Sequence, residues 1–366
     1  MKAQTHPRHV RVFFAIAVFT FILTNRAWGV NYTAIDLTPS GFSDCRGYGT
    51  SGTQQAGSGT MAGEEHALLW NGSAASCVDL NPSGFYSSAV YGSGGTQQVG
   101  WGAGLSTGGY HALLWNGSAA SYVDLDPTGR FIMSNALGTS GTQQVGWGMG
   151  YDGGHALLWN GSAASYVDLS PSGFGNSVAL GISGTQQVGY GMATGDNPHA
   201  LLWYGSAASC VDLNPSGWDN SNANGTNGTQ QVGWGSGSST GGNEHALLWN
   251  GSASSYADLN PSGFDNSLAS GISGTQQVGG GSGSATGNVS HALLWNGTAD
   301  SYIDLHQFLP DGFTDSFARA IDSSGNIVGN ATDSSGYQHA ILWEIPEPTT
   351  LLLLGLGGLT VLRRRK

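Results

Sequence analysis

Two residue types recur at fixed intervals and could do chemistry. Histidine stands at His66, His111, His155, His199, His245, His291 and His339, each opening the phrase His-Ala-Leu-Leu-Trp or, at the last, His-Ala-Ile-Leu-Trp. Aspartate stands at Asp36, Asp79, Asp124, Asp168, Asp212, Asp258 and Asp304, each followed by Leu. A set of imidazoles invites a transition metal, and a set of carboxylates invites calcium. Zinc needs its nitrogens about 2 Å from one point. Calcium needs about six to eight converging oxygens. One His and one Asp per unit of about 45 residues meets neither demand if the units are spread around a ring. Each His is therefore expected to bond loop backbone, and each Asp to cap the turn that follows it. No metal or cofactor is expected.

Residues that break the repeat are the better place to look for catalysis. Glu64, Glu65, Asp152, Asp196 and Glu244 do so, all between the second and third strands of their units. Paired carboxylates can hydrolyse glycosides, but no spacing makes these five converge. No Gly-x-Ser-x-Gly elbow joins a strand to a helix. The chain is read as non-enzymatic. A second candidate is a binding face. Phe42, Phe85, Phe174, Trp218, Phe264 and Phe313 follow the turn after the fourth strand, among Asn, Ser and Asp. Such rings suit sugar or peptide contacts, or they tuck under the turn and cap the core.

The elements that position these residues are short. In the unit around His199 the candidates are Asn176–Ser183, Thr185–Tyr190, His199–Trp203 and Cys210–Leu213. All are strand length and bounded by Gly, Pro, Asn or Ser. No segment between the two ends keeps a 3.6-residue apolar period. Ala-Leu-Leu-Trp is apolar on both faces, so the third strand is covered on both sides. Asn-Gly follows it at Asn71, Asn116, Asn160, Asn250 and Asn296, which predicts a type I′ hairpin to the fourth strand.

Four antiparallel strands repeated at this period predict the blade of a β-propeller. The third-strand phrase and the fourth-strand phrase each occur seven times, but displaced. Tyr32–Leu37 is a fourth strand before any third, and His339–Trp343 is a third strand with no fourth after it. A ring repairs the mismatch if Tyr32–Leu37 completes the last blade. The expected fold is all-β: a closed seven-bladed propeller over 30–345.

Between residues 30 and 345 lie three basic residues, Arg46, Arg130 and Arg319, against 22 acidic ones, a formal charge of −19. Phosphate backbones need Lys and Arg, so nucleic acid is excluded as a partner. Of three cysteines, Cys77 and Cys210 stand where other units have Tyr and read as buried apolar substitutes; Cys45 lies elsewhere, and no disulfide is expected.

Both ends read as address labels. Lys2, Arg8 and Arg11 precede an apolar run, and Ala27-Trp28-Gly29 supplies a cleavage site, which predicts a helical signal peptide over 1–29. At the other end Pro346-Glu347-Pro348 is followed by an apolar Leu351–Leu362 helix, then Arg363, Arg364, Arg365 and Lys366. This order resembles the PEP-CTERM sorting signal. The resemblance implies a tail over 346–366 that spans the membrane before processing by an exosortase-type membrane protease. It implies an exported protein at the envelope, outer surface or extracellular matrix of a Gram-negative-type bacterium. The pattern Gly-x-x-Val-Gly, loop, His-Ala-x-x-Trp resembles the HAF-type extracellular repeat, best at Gly325-Asn326-Ile327-Val328-Gly329. The expected role is structural or adhesive, with carbohydrate binding, such as extracellular polysaccharide, second and a glycan-acting enzyme third.

Overall fold

The computed structural model describes residues 31–105, 107–193 and 197–346. The signal segment 1–29, Asp196, Glu347, Pro348, the Leu351–Leu362 helix and the terminal arginines lie outside the described residues. No helix among the described residues is long and apolar enough to cross a membrane.

Seven four-stranded antiparallel sheets follow one another along the chain. In the fourth blade the strands are Ser177–Ser183, Gln186–Met192, Pro198–Trp203 and Val211–Asp212, innermost to outermost. The seventh blade takes Phe313–Ile321, Ile327–Asp333 and Gln338–Glu344 from the end of the chain and Thr33–Asp36 from its beginning. Thr33–Asp36 pairs antiparallel with the third strand, Ala34 against Trp343 and Ile35 against Leu342. The displaced fourth strand thus closes the ring, as the offset in the repeat requires.

The third strand explains the core. Side chains alternate across a strand, so in Ala67-Leu68-Leu69-Trp70 two residues face each neighbouring blade. Ala67 and Leu69 pack with Leu80, Val90, Leu113 and Trp115 towards the second blade. Leu68 and Trp70 pack with Leu37, Val328, Ala340 and Leu342 of the seventh. All seven tryptophans of this phrase are fully buried. The same interlock recurs from the second blade to the sixth, each gap there holding a separate small core.

Glycine in Val-Gly of the second strand has a steric cause. A Cβ on Gly189 would lie 1.9 Å from the carbonyl oxygen of Val178, and one on Gly146 would lie 1.9 Å from that of Asn135. The inner strand is bulged beside this glycine in every blade, for example between Ala179 and Gly181, and the bulge brings the two backbones together.

The turn after the third strand differs from expectation. Gly72 has φ +78°, but Asn71 does not share it, and type I′ needs positive φ at both central residues. The chain instead runs through Asn-Gly-Ser into a single 3₁₀ turn, Ala74–Ser76, before Val78–Asp79. Side chains hold it: Gly72 N–H donates to Gln55 Oε1 and Asn71 N–H to Ser76 Oγ, each at 2.8 Å. The second Gln of Gln-Gln-Val-Gly is thereby accounted for, and it repeats from Gln98 to Gln277. The three cysteines are free thiols; Cys45 is buried, whereas Cys77 and Cys210 are only half-buried.

Candidate functional site

The repeated His and Asp meet. In every blade His Nδ1 lies 2.7 or 2.8 Å from an Oδ2 of the outer strand, from His66 with Asp79 to His291 with Asp304. The seventh pair, His339 with Asp36 at 2.7 Å, joins the two ends of the chain. The histidines thus bond carboxylates, not the loop backbone that the sequence suggested. The other oxygen of each Asp caps the turn as expected: Oδ1 of Asp212 accepts the N–H of Asn214 at 2.8 Å.

The pair belongs to a longer relay. In the fourth blade Asn214 Oδ1 accepts from Ser221 Oγ at 2.6 Å, and Ser221 Oγ accepts the Ala200 N–H at 3.0 Å. Ser221 stands on the inner strand of the fifth blade, so the relay crosses a blade boundary. Its polar atoms are spent on one another, which is how a buried polar network stabilises rather than costs.

The six candidate aromatics sit beside these pairs, on the face bearing the connections between second and third strands and between blades. Trp218 and Phe264 are buried; Phe42, Phe85, Phe174 and Phe313 are half-buried. Phe42, Phe174, Trp218 and Phe313 meet the imidazoles of His66, His199, His245 and His339 near edge-on, with centroids 5.3–6.3 Å apart. Phe85 and Phe264 meet Tyr122 and Tyr302 instead, each at 5.4 Å. A seventh member, Phe131, fills the third blade against His155. The sequence reading missed it because Arg130 is inserted before it, after Pro127-Thr128-Gly129.

A His–Asp pair could orient a catalytic base, and the third blade adds a serine. Ser170 Oγ lies 3.2 Å from His155 Nδ1, but Asp168 Oδ2 occupies that same nitrogen at 2.7 Å. Activation of a serine needs the hydroxyl on one ring nitrogen and the carboxylate on the other. His155 Nε2 faces Asp152 at 3.2 Å instead. Arg130 holds the Asp152 carboxyl down to about 2 through a paired hydrogen bond. Glu64 and Glu65 lie on the first blade, Asp152 on the third and Glu244 on the fifth, so the described acidic departures occupy three blades. Among the described residues no three His, Cys, Asp or Glu side chains are grouped to hold a metal.

One cavity is built by all seven inner strands. It lies on the propeller axis and has a volume of about 480 Å³. The residue inside each inner-strand bulge lines it: Tyr48, Tyr91, Leu137, Leu180, Asn224, Ser270 and Arg319. These seven positions differ from blade to blade, unlike the tryptophans and the His–Asp pairs.

Comparison with known proteins bears on address and fold. Residues 344–366 match the PEP-CTERM protein-sorting motif. Among curated proteins no sequence matches the chain. The β-propeller domain of the Trilobed protease from Pyrococcus furiosus is similar in structure, with a TM-score of 0.57 at 10% identity over 84% of this chain and 99% of that one. An oligogalacturonate lyase from Vibrio parahaemolyticus gives 0.54 at 10% identity over 87% and 97%. A puromycin hydrolase gives 0.55 at 11% identity over 84% of this chain and 52% of its own, so the chain spans about half of that enzyme. Likeness at such identity is likeness of fold. What the chain carries, then, is a seven-bladed propeller and the sorting motif of an exported, exosortase-sorted protein of the cell envelope.

Proposed function

We propose that this chain is a non-enzymatic surface module, structural or adhesive in role, released to the outer surface or extracellular matrix after its tail is processed. The sorting motif over 344–366 carries this reading. The fold is compatible with it: sevenfold repetition of closed His–Asp relays gives a rigid, acidic, solvated disc with no assembled catalytic group among the described residues. The internal units are read as divergent HAF-type repeats.

The tail gives the test. A basic cluster behind a short apolar helix stays on the cytoplasmic side, and Pro348 disfavours helix at Glu347. Processing by a membrane protease is therefore expected at or near Pro346-Glu347-Pro348. Intact mass of protein from the native host should lack Arg363–Lys366, and a host without exosortase should retain them in its membrane fraction. Native mature protein that still ends at Lys366 reduces the tail to a plain anchor.

Carbohydrate binding is the second reading. Tyr86, Tyr110, Tyr151 and Tyr337 are exposed near the aromatic-bearing face, and Tyr110 stands edge-on to Trp101 with centroids 4.7 Å apart. A glycan array probed with the exported chain separates it from a purely structural role.

A further inference from the structure

The propeller domain has three basic residues, and two of them, Arg46 and Arg319, stand on the first and seventh blades, close enough for the charge of Arg46 to act on Arg319. Arg130, the third, has a carboxylate partner in Asp152. Neither Arg46 nor Arg319 forms an ion pair among the described residues, although acidic residues outnumber basic ones about sevenfold. A guanidinium taken out of water without a counter-charge costs several kcal/mol. Burial and the nearby charge of Arg46 both disfavour the charged form of Arg319.

Packing accounts for part of Arg319. Its guanidinium carbon lies 4.4 Å from the centroid of Phe317 and 5.9 Å from that of Tyr48, so cation–π attraction occupies its flat faces. Nε donates weakly to Asn330 Oδ1 at 3.5 Å. Its two terminal amino groups donate to no protein acceptor among the described residues. Those groups form the fork that takes a carboxylate with two parallel hydrogen bonds.

The cavity that Arg319 lines is lopsided. Next to Arg319 in the ring come Tyr48 and then Tyr91, joined edge-on at 5.0 Å. In a ring of seven the positions across from the seventh blade belong to the third and fourth, and these supply Leu137 and Leu180. At the bulge positions one side is cationic and aromatic and the opposite side aliphatic. At about 480 Å³ the space suits a small molecule.

We propose that the axial cavity binds a small organic carboxylate, with the Arg319 fork on the carboxyl group and its apolar body against Leu137 and Leu180. An inorganic anion would use the fork and leave the aliphatic wall wet. The inference goes beyond the proposed surface role and does not depend on it, because it is read on purified protein whatever the fate of the tail.

The test is titration of the full chain in detergent with phenylacetate, followed by ligand NMR and calorimetry, with phenylacetamide and sulfate as comparisons. One phenylacetate should bind per chain, and phenylacetamide should bind about tenfold more weakly or not at all. Arg319→Gln should weaken phenylacetate about tenfold or more. Ser270→Trp fills the cavity while keeping Arg319 in the chain, and it should abolish binding with little change in melting temperature. If Arg319→Gln does not fold, Ser270→Trp and the amide decide. No saturable binding up to about 10 mM, binding unchanged by Ser270→Trp, or sulfate competing as well as phenylacetate overturns the proposal.

Discussion

Deleting residues 32–37 removes the strand that closes the ring, and its cost can be worked from what that strand touches. Leu37 is 0% exposed and Tyr32 is 5% exposed. Full burial of such side chains contributes about 1.5–3 kcal/mol each. The backbone bond from Leu37 N–H to Ala340 O, at 2.8 Å, and the register from Thr33↔Glu344 to Asp36↔Ile341 are lost as well. At a net value of about 1 kcal/mol for each hydrogen bond, the total reaches roughly 6–9 kcal/mol. Whole domains of this kind are stable by about 5–15 kcal/mol. The deletion should therefore unfold the propeller or leave it barely folded, because the exposed edge of Gln338–Glu344 also invites aggregation. The assay is urea unfolding of the full chain followed by tryptophan fluorescence. Leu37→Ala and Leu213→Ala supply an internal comparison. Both leucines are fully buried, and each donates its N–H to an alanine carbonyl at 2.8 Å. Each substitution should cost about 2–5 kcal/mol, but only Leu37→Ala should expose a protease-sensitive N-terminal segment. A deletion variant with the unfolding midpoint of the intact chain refutes the closed ring.

Three further outcomes follow from single residues. The Asp124 hydrogen bond raises the His111 pKa, with burial working against it. Its contribution is therefore fully present below the unfolded value of about 6.5 and is lost as pH rises through the higher folded value. The stability gap between wild type and Asp124→Asn should be wide at about pH 5 and narrow by about pH 9; a gap independent of pH argues against the pair. Burial pushes the thiols of Cys45 and Cys210 up to about 12 and that of Cys77 to about 11, so iodoacetamide should leave all three unlabelled in the folded chain at about pH 8, and rapid labelling before unfolding contradicts that. Gly189→Ala, whose Cβ would meet the Val178 carbonyl oxygen at 1.9 Å, should cost about 3 kcal/mol. Gly161→Ala meets nothing within 4 Å and carries only its φ of +79°, at about 1 kcal/mol; thermal melts of the two should separate clearly.

The ring was legible because repetition exposes topology. Seven third strands and seven fourth strands out of step leave one arrangement in which every third strand has a fourth, and Thr33–Asp36 supplies the missing one. The His–Asp pairs were less accessible, for a reason of register. A two-residue Asn71-Gly72 hairpin would set Asp79 opposite Glu64. The extra residues of the 3₁₀ turn shift the pairing so that Asp79 stands opposite Leu68. His66 lies two residues from Leu68 on the same face, within diagonal reach. The constant separation of 13 residues between His and Asp in six blades was the signal available.

The axial cavity was hidden by the opposite circumstance. The inner strands read as runs of small residues suited to crowding near the axis, and most of their members are. A bulge turns one residue of each into the cavity, and bulges leave no fixed mark in sequence. Repetition itself offers a way to find such a place. A residue needed seven times over by the ring is held constant seven times, as the tryptophans and the His–Asp pairs are. A site for one ligand has to break the symmetry, since seven equal walls offer no preferred pose. In this chain the bulge positions run Tyr, Tyr, Leu, Leu, Asn, Ser, Arg, and the two arginines without ion-pair partners among the described residues stand on the first and seventh blades, where the N-terminal strand joins the last sheet. A position that varies from unit to unit and lines the shared cavity is therefore where this propeller's individual chemistry is best sought.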